Sequence, residues 1–295
     1  MNNITWVLLL IIIILLVNVH FYKESFEDKK KKEYDCIISI NVHEKFDFLL
    51  KQLKNIEENV SCKYAVMLNC NDYMFEQCNN NRLLLSENVY FYDTPLNKKL
   101  YHGSLTEGIF NNMCYSIDNF IFKYFIVSSS RNFFSNNLKL EDLNNLNKKD
   151  FLKSVDTNII EYNNWEEKKN DWRWPALSNT LLAKYFLERK QNMYSSPHEG
   201  LVFTYNGCLK IVDFLNKNTD IKNNLFNYYD AVEEFSLQTL SSNLGEPIFY
   251  IGNGCCTNNP IGTNNPDGEL LQFMYKTNRD SFINKENYLT CNSSY

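Results

Sequence analysis

The sequence predicts an α/β fold in which a mostly parallel sheet is flanked by helices and preceded by one N-terminal transmembrane helix. Three observations predict this fold. Short runs of β-branched and aromatic residues alternate with amphipathic segments through residues 35–135, which is typical of parallel strands joined by crossover helices. Several of these runs end in polar residues, and the chain begins with a long apolar run.

Size and composition indicate a folded chain with a sizeable core. The chain has 295 residues, of which 44% are hydrophobic and 22% are charged, and its formal net charge is -5. A chain of this length is long enough for one large domain or two small ones. The mildly acidic balance argues against a nucleic-acid partner, because a general nucleic-acid binder needs a basic face.

The N-terminus predicts a membrane anchor. Residues 4–19 are apolar except for Thr5 and Asn18, which is close to the length that a bilayer-spanning helix needs. A cleaved signal peptide is the alternative, but no basic segment precedes the run and no small-residue cleavage site follows it. We therefore expect a transmembrane signal anchor over residues 1–20, a charged stem over 21–34, and a membrane partner.

The positive charges and the cysteines favour opposite orientations of the part of the chain that follows the membrane span, which we call the body. Lys23 and residues 29–32 follow the span, and the positive-inside rule taken alone places the body in the cytoplasm. The nine cysteines instead suit an oxidising lumen with disulfide bonds, and the sequons at Asn59 and Asn292 fit a glycoprotein. We expect a lumenal body in the Golgi or endoplasmic reticulum, with the cytoplasmic orientation left as an alternative.

The first half of the chain contains four predicted strands and two predicted helices. The strands rest on runs rich in Ile, Val and aromatic residues, and the helices on apolar residues at helical spacing. The predicted strands cover residues 35–42, 63–70, 88–93 and the start of 123–134, and the predicted helices cover 43–58 and 103–120.

Three predicted strands end in polar residues, at 41–43, 69–72 and 128–132. Ligands of such sheets bind outside the carboxyl ends of the parallel strands, so these ends indicate a nucleotide-type site. The alternative is that they are solvated loop starts. No glycine-rich phosphate loop and no nucleophile elbow occurs in the sequence.

The second half carries a tryptophan cluster and a turn followed by a strand and a helix. Trp165, Trp172 and Trp174 lie close in sequence and suit either a sugar-stacking site or an ordinary core. Residues 196–215 combine a polar turn, a short strand and an amphipathic helix.

A group of acidic residues supplies the candidate general base. Asp230 and Glu233 have the spacing of a capping box that opens a helix. Glu234 is then left on the inward face with Leu237 and Leu240, and the helix dipole stabilises a carboxylate in a first turn. The alternative is a half-buried glutamate that pairs with a lysine.

Six short segments, in order, resemble the core-2/I-branching β-1,6-N-acetylglucosaminyltransferase family, which includes the peptide O-xylosyltransferases. The resemblance covers roughly residues 35–287. The segments are "ISINVHEKFDFLLKQLKNI", "YAVMLN", "GSLTEGIF" with "KYFIVSSSRNFF", "HEGLVFTYNGCLKIVDFL", "EEFSLQTL" and "SFINKEN".

The resemblance implies a type II membrane enzyme with a GT-A-like domain over residues 35–290. Residues 35–135 would form its nucleotide-sugar half and 136–290 its acceptor and catalytic half. Such an enzyme transfers a sugar, here GlcNAc or xylose, from a UDP-sugar donor to a hydroxyl of a glycan or glycoprotein acceptor, with inversion. Glu234 matches the family's catalytic base. The family uses no Asp-x-Asp metal motif and this sequence has none, so we expect no cofactor and no metal.

Two sets of candidate binding residues follow, most of them implied by the resemblance, with Arg279 added as a nearby candidate for a second cation and Trp174 as a member of the tryptophan cluster. The nucleotide-sugar set is Val42, His43, Asn69, Ser129, Ser130, Arg131, Asn132, Arg279 and Lys285. The acceptor set is Trp174, His198, Glu199 and Gly200.

The sequence departs from the family at two of these positions. Asn69 and Asn132 stand where the family typically has Asp. The alternative function is therefore a catalytically inactive, membrane-tethered glycan-binding or interaction protein on a degenerate transferase scaffold. A third hypothesis is a cytoplasm-facing α/β protein.

Overall fold

The computed structural model describes residues 31–43, 45–152, 158–171, 175–255 and 273–276. The predicted membrane anchor over residues 1–20 and most of the stem lie outside these ranges. None of the helices within them is long and apolar enough to span a bilayer. Residues 34–295 form one compact unit and residues 1–33 another, and in the latter the short strand β1 covers Lys32–Glu33.

Twelve more strands are described in residues 34–276. They are β2 (Cys36–Val42), β3 (Tyr64–Cys70), β4 (Val89–Phe91), β5 (Phe120–Ile121), β6 (Tyr124–Ser129), β7 (Asn132–Phe134), β8 (Asn158–Ile160), β9 (Met193–Ser195), β10 (Leu201–Thr204), β11 (Ile248–Tyr250), β12 (Gly252–Cys255) and β13 (Met274–Lys276).

Ten α-helices lie in the same described ranges. They are α1 (Phe46–Asn59), α2 (Asp72–Asn80), α3 (Ser104–Asn119), α4 (Leu140–Asn145), α5 (Lys148–Leu152), α6 (Trp165–Lys168), α7 (Leu181–Glu188), α8 (Tyr205–Lys217), α9 (Thr219–Phe226) and α10 (Ser236–Asn243).

A six-stranded sheet organises the unit, with the strand order β11-β10-β6-β2-β3-β4. Strands β2, β3, β4 and β6 are parallel, whereas β10 runs antiparallel to both β6 and β11. The predicted mostly parallel sheet with flanking helices is therefore confirmed. β2 lies inside the sheet and every one of its residues is buried, which explains its continuous apolar run.

The two faces of the sheet pack against different helices because side chains alternate along each strand. Odd-numbered residues such as Ile37 and Met67 share a core with α3. Even-numbered residues such as Ile38 and Val66 share a second core with α1. The parity of a residue on β2 or β3 therefore decides which helical layer it meets.

Apart from β5, the remaining described strands of this unit form two smaller sheets. One has the order β12-β13-β7 and the other pairs β8 with β9 antiparallel. β7 directly follows β6, so the predicted fourth strand region divides into two strands at a tight turn. That turn lies at the carboxyl edge of the central sheet.

Two local features differ from the prediction. Residues 72–80 form helix α2, which the sequence analysis did not predict, and the side chain of Asn71 caps it by accepting a hydrogen bond from the backbone N–H of Met74. The apolar content of α2 is low, so its helical pattern is weak. The second difference concerns the helix that was predicted to begin with a capping box at Asp230 and Glu233, and it is described with the site.

Candidate functional site

Three polar residues form a row at the carboxyl edge of the sheet. Asn69 of β3 is in register with Asn41 of β2, and Asn41 is in register with Ser129 of β6. Residues in register on parallel strands project to the same face, and here that face packs against α3. We call Asn69, Asn41 and Ser129 the polar row. The structure thus brings together the polar strand ends that the sequence analysis singled out.

Asn41 connects the polar row to the first turn of α3. Its side-chain Nδ2 donates a 2.9 Å hydrogen bond to the backbone oxygen of Leu105. Its Oδ1 is buried and accepts no hydrogen bond within the described residues. A Cβ at Gly108 would collide with this oxygen, so glycine at this position lets the helix approach the row closely.

Asn69 is the most unusual member of the row. Its side chain is 0% exposed, yet neither Oδ1 nor Nδ2 has a hydrogen-bond partner in the part of the chain that the structure describes. Buried amides are normally paired, and an unpaired one costs free energy. Ligands of parallel sheets bind at this edge, so its unpaired amide makes Asn69 a candidate ligand-binding residue.

A lysine that the sequence analysis did not single out lies beside Asn69. Lys98 Nζ donates hydrogen bonds to the backbone oxygens of Asn69, at 2.8 Å, and of Leu96, at 3.1 Å. Burial lowers the pKa of Lys98 to about 8, and the neighbouring Cys70 and Glu107 oppose that shift. Lys98 lies in a proline-containing loop without periodicity, and in sequence such a lysine is typical of a solvated surface.

The carboxyl ends of β2 and β6 meet through a second contact. Ser130 Oγ lies 3.3 Å from Nε2 of His43. His43 is exposed and Ser130 is buried, so the histidine ring covers the turn from the solvent side. The neighbouring Val42 is buried in the α1 core, and its side chain therefore belongs to the opposite face of the sheet.

The turn between β6 and β7 is held by Asn132. Its Oδ1 accepts hydrogen bonds from the backbone N–H and from the hydroxyl of Ser129. Gln52 of α1 supports the same turn by donating 2.8 Å hydrogen bonds to the backbone oxygens of Ser129 and Asn132. Arg131 lies at the tip of the turn and is half-buried. The side-chain oxygen of Asn132 therefore stabilises the backbone of the turn between β6 and β7.

The loop before β10 reaches the same edge. Gly200 donates its backbone N–H to the oxygen of Val127 at 2.8 Å and has a φ of 93°, which favours glycine. His198 Nδ1 lies 3.4 Å from Oε2 of Glu199, and both side chains are largely buried. The predicted acceptor residues His198, Glu199 and Gly200 therefore lie beside the end of β6.

Residues 230–234, which we call the acidic turn, are hydrogen-bonded to this loop. The backbone N–H of Ser196 donates to the oxygen of Glu234 at 2.9 Å. Gln238 of α10 is buried, and its Nε2 donates to the backbone oxygens of Ser196, at 3.0 Å, and Glu233, at 3.2 Å. Together these hydrogen bonds fix the acidic turn against the loop that leads to β10.

The predicted capping box at Asp230 and Glu233 is wrong. Asp230 Oδ1 accepts instead from the N–H of Ala231, residues 232–234 form a 3-10 turn, and α10 begins only at Ser236. Side chains three residues apart align in a 3-10 turn. That geometry lets Val232 and Phe235 both enter the core. Glu234 therefore precedes the helix, and it is half-buried.

Three predicted site residues, Trp174, Arg279 and Lys285, lie outside the described residues. Among the described ranges, no group of His, Cys, Asp and Glu side chains is placed to hold a metal ion. The expectation of metal-independent chemistry stays a prediction.

No protein-family model matches the chain, and no curated protein matches its sequence significantly. The resemblance to the N-acetylglucosaminyltransferase family therefore rests on the short motifs of this sequence.

Proposed function

We propose that the chain is an inverting glycosyltransferase with a GT-A-like domain. It would move a sugar, GlcNAc or xylose, from a UDP-sugar to a hydroxyl of a glycan or glycoprotein acceptor. The observation that carries the proposal is the pair formed by the lysine ammonium of Lys98 and the unpaired amide of Asn69 at the carboxyl edge of the sheet.

This pair suits a nucleotide-sugar because such a ligand combines negative charge with hydrogen-bonding hydroxyls and a base. A buried ammonium stabilises a diphosphate more strongly than an exposed one, since water screens it less. The amide of Asn69 has both a donor and an acceptor available for a ribose hydroxyl or a uracil edge. Lys98 would add to the positive charge of Lys285, which matches the family's C-terminal lysine, and of the nearby candidate Arg279.

Glu234 would act as the general base of the transfer. As the acceptor oxygen attacks the anomeric carbon, its proton passes to the carboxylate of Glu234, and the UDP oxygen leaves from the opposite face with the bonding electrons. The hydrogen bond between Ser196 and Glu234 supports this role, because it holds the acidic turn beside His198 and Glu199. Those two residues are the proposed acceptor contacts.

The proposal includes a type II membrane topology. Residues 1–20 would anchor the enzyme, and the body would face the lumen of the Golgi or endoplasmic reticulum. The apolar N-terminal run supports this arrangement.

Donor turnover by the purified full chain tests the proposal. UDP-GlcNAc, UDP-xylose, UDP-glucose and UDP-galactose are each supplied with glycan and glycopeptide acceptors, and released UDP and labelled product are measured. We expect transfer from one donor. Glu234→Gln should abolish transfer and keep UDP binding, whereas Asp213→Asn, at an exposed ion pair with Lys217, should leave transfer unchanged. Absence of UDP binding and turnover with every donor contradicts the proposal.

A non-catalytic glycan-binding protein is the second candidate function. The observation that favours it is the use of Asn132 Oδ1 within its own turn, where Ser129 occupies it. A site that has lost ligand contacts in this way would bind a glycan without a nucleotide. Glycan-array binding by the full chain, together with no UDP affinity in calorimetry, would support this function over transfer.

A further inference from the structure

Two pairs of cysteines in the first half of the chain are buried in the same core. Cys36 opens β2, and Cys62 lies two residues before β3. Their sulfur atoms are 3.5 Å apart and share a hydrogen bond. Two sulfurs at this separation are in van der Waals contact, as neighbouring thiols that can form a disulfide bond must be.

The second pair joins the end of β3 to α2. Cys70 is the last residue of β3, and Cys78 lies in α2. Helix α2 packs against β3, and the Cys78 thiol, followed by burial, raises the pKa of Cys70 well above its ordinary value. Cys70 and Cys78 are both almost completely buried, in the same core as the first pair.

The other two described thiols behave differently. The pKa values of Cys114 and Cys208 are raised mainly by burial. All six cysteines whose side chains are described are free thiols in this structure, and only four of these six have a thiol neighbour as the leading influence on their pKa.

We propose that Cys36 with Cys62, and Cys70 with Cys78, form two disulfide bonds when the chain folds in an oxidising compartment. Each bond forms by exchange with a small-molecule disulfide such as oxidised glutathione. One protein thiolate attacks that disulfide and releases one glutathione thiolate. The partner thiolate then attacks the mixed disulfide, forms the protein S–S bond and releases the second glutathione, so two thiols are oxidised and one external disulfide is reduced.

The two disulfide bonds differ in the stage of folding at which their thiols can react. Cys62 is 9% exposed at the edge of the core, whereas Cys36 is 0% exposed, so Cys62 is the thiol that an external disulfide reaches first, and its hydrogen bond with Cys36 lowers its pKa. Cys70 and Cys78 are at most 1% exposed. Their bond therefore has to close before folding is complete.

The second bond would also act on the candidate site. Cys70 is the neighbour of Asn69 in sequence, and its backbone oxygen accepts a 2.8 Å hydrogen bond from Leu96, two residues before Lys98. A covalent link from Cys70 to α2 would hold this strand end in place. The proposal nevertheless stands independently of glycosyl transfer, because mass mapping detects disulfide bonds whether or not the protein transfers a sugar.

Mass mapping of the full chain tests the proposal. The protein is produced in a secretory host, alkylated without reduction, treated to remove any glycan from Asn59, and digested with trypsin. We expect peptide 33–45 linked to peptide 55–63. Peptide 64–82 holds both Cys70 and Cys78, and it should appear unalkylated with a mass about 2 Da below its dithiol form. Cys114 and Cys208 should be alkylated once the protein is denatured.

Stability provides a second readout. Reduction should lower the Tm of the secreted protein by about 5 °C or more, since each bond restricts the unfolded chain. The double variants C36A/C62A and C70A/C78A should each lose one linkage and retain the other, and Cys114→Ala should keep both. Alkylation of all four cysteines in the secreted protein, or linkages in any other combination, overturns the proposal.

Discussion

The ammonium group of Lys98 donates a 2.8 Å hydrogen bond to the backbone oxygen of Asn69, whose side-chain amide is buried without a hydrogen-bond partner within the described residues. The chain thus places a charged group and an unsatisfied polar group together at the carboxyl edge of a parallel sheet. Both features cost folding free energy. A ligand that supplies an anion and polar atoms would offset both costs. Substitutions at these two residues therefore test the proposed function most directly.

Replacing Lys98 with methionine should weaken UDP binding. Methionine keeps most of the side-chain volume but removes the charge, and a charge-assisted hydrogen bond is worth about 1.5 to 3 kcal/mol, so we expect a loss of about tenfold or more. Calorimetric titration with UDP measures it. Lys99→Met is the matched control, because Lys99 is exposed and its Nζ lies over the ring of Tyr229. Equal affinities for both variants would remove Lys98 from the site.

The pH dependence of stability should reveal the partly buried Lys98. Burial lowers the pKa of Lys98 from 10.5 to about 8. Between these values the unfolded chain binds a proton that the folded chain lacks, so this group makes folding more favourable as the pH rises. The stability of the wild type relative to Lys98→Met should therefore increase between pH 8 and pH 10. Denaturant unfolding at several pH values measures it, and a constant difference would contradict the depressed pKa.

Asn69 and Asn112 should respond in opposite ways to substitution by leucine. Asn69→Leu removes an unpaired buried amide, so we expect stability to be unchanged or increased while UDP binding is lost. Asn112 is also buried, but its Nδ2 donates to Ser39 Oγ at 2.9 Å and to the backbone oxygen of Met67 at 3.0 Å. Asn112→Leu should cost about 2 kcal/mol or more. Denaturant unfolding separates the two, and a large loss at Asn69 would indicate a purely structural role.

Asn132 should tolerate aspartate better than alanine. Alanine removes the oxygen that accepts from the N–H and hydroxyl of Ser129, and we expect a loss of about 1 to 2 kcal/mol. Aspartate keeps an oxygen at this position and should retain most of the stability at neutral pH. Chemical denaturation of both variants measures the difference. Equal losses would mean that the side-chain oxygen does not hold the turn.

Gln238 should prove essential for holding the acidic turn. Gln238→Leu removes the donor to the backbone oxygens of Ser196 and Glu233, and two buried carbonyls are then left without it, at a cost of about 1 to 3 kcal/mol. Transfer should fall more than UDP binding, since the acceptor side is displaced. Gln191→Leu is the control, because its Nε2 makes one long hydrogen bond of 3.5 Å. A variant of Gln238 with normal stability and transfer would contradict this role.

Much of the first half of the fold could be predicted from periodicity. The predicted strands 35–42 and 63–70 correspond to Cys36–Val42 and Tyr64–Cys70, and the predicted helix 103–120 to Ser104–Asn119. These elements are long, and their burial imposes a strong pattern on the sequence. The polar ends of the strands were equally visible, because a change from apolar to polar residues marks where a buried strand leaves the core.

Other features left no comparable pattern. Lys98 lies in a loop, so no periodicity marks it as buried. Helix α2 is capped by Asn71 and buries only a narrow apolar face, formed by Met74 and Cys78. The acidic turn appeared to be a capping box, but packing of Val232 and Phe235 into the core selects a 3-10 turn. For Lys98 and the acidic turn, contacts with distant segments override the local preference.

The sequence by itself determined the fold class, the order of the main elements in the first half, and the polar edge at which a ligand is expected. It did so because burial of a parallel sheet requires long apolar runs with defined ends. Only the tertiary structure decided that Lys98 joins Asn69, that Asn132 serves its own turn, and which thiols are neighbours. Those relationships depend on the three-dimensional positions of individual side chains, whether the partners are far apart in the chain, as Lys98 and Asn69 are, or within one turn, as Ser129 and Asn132 are, and sequence patterns do not encode these positions.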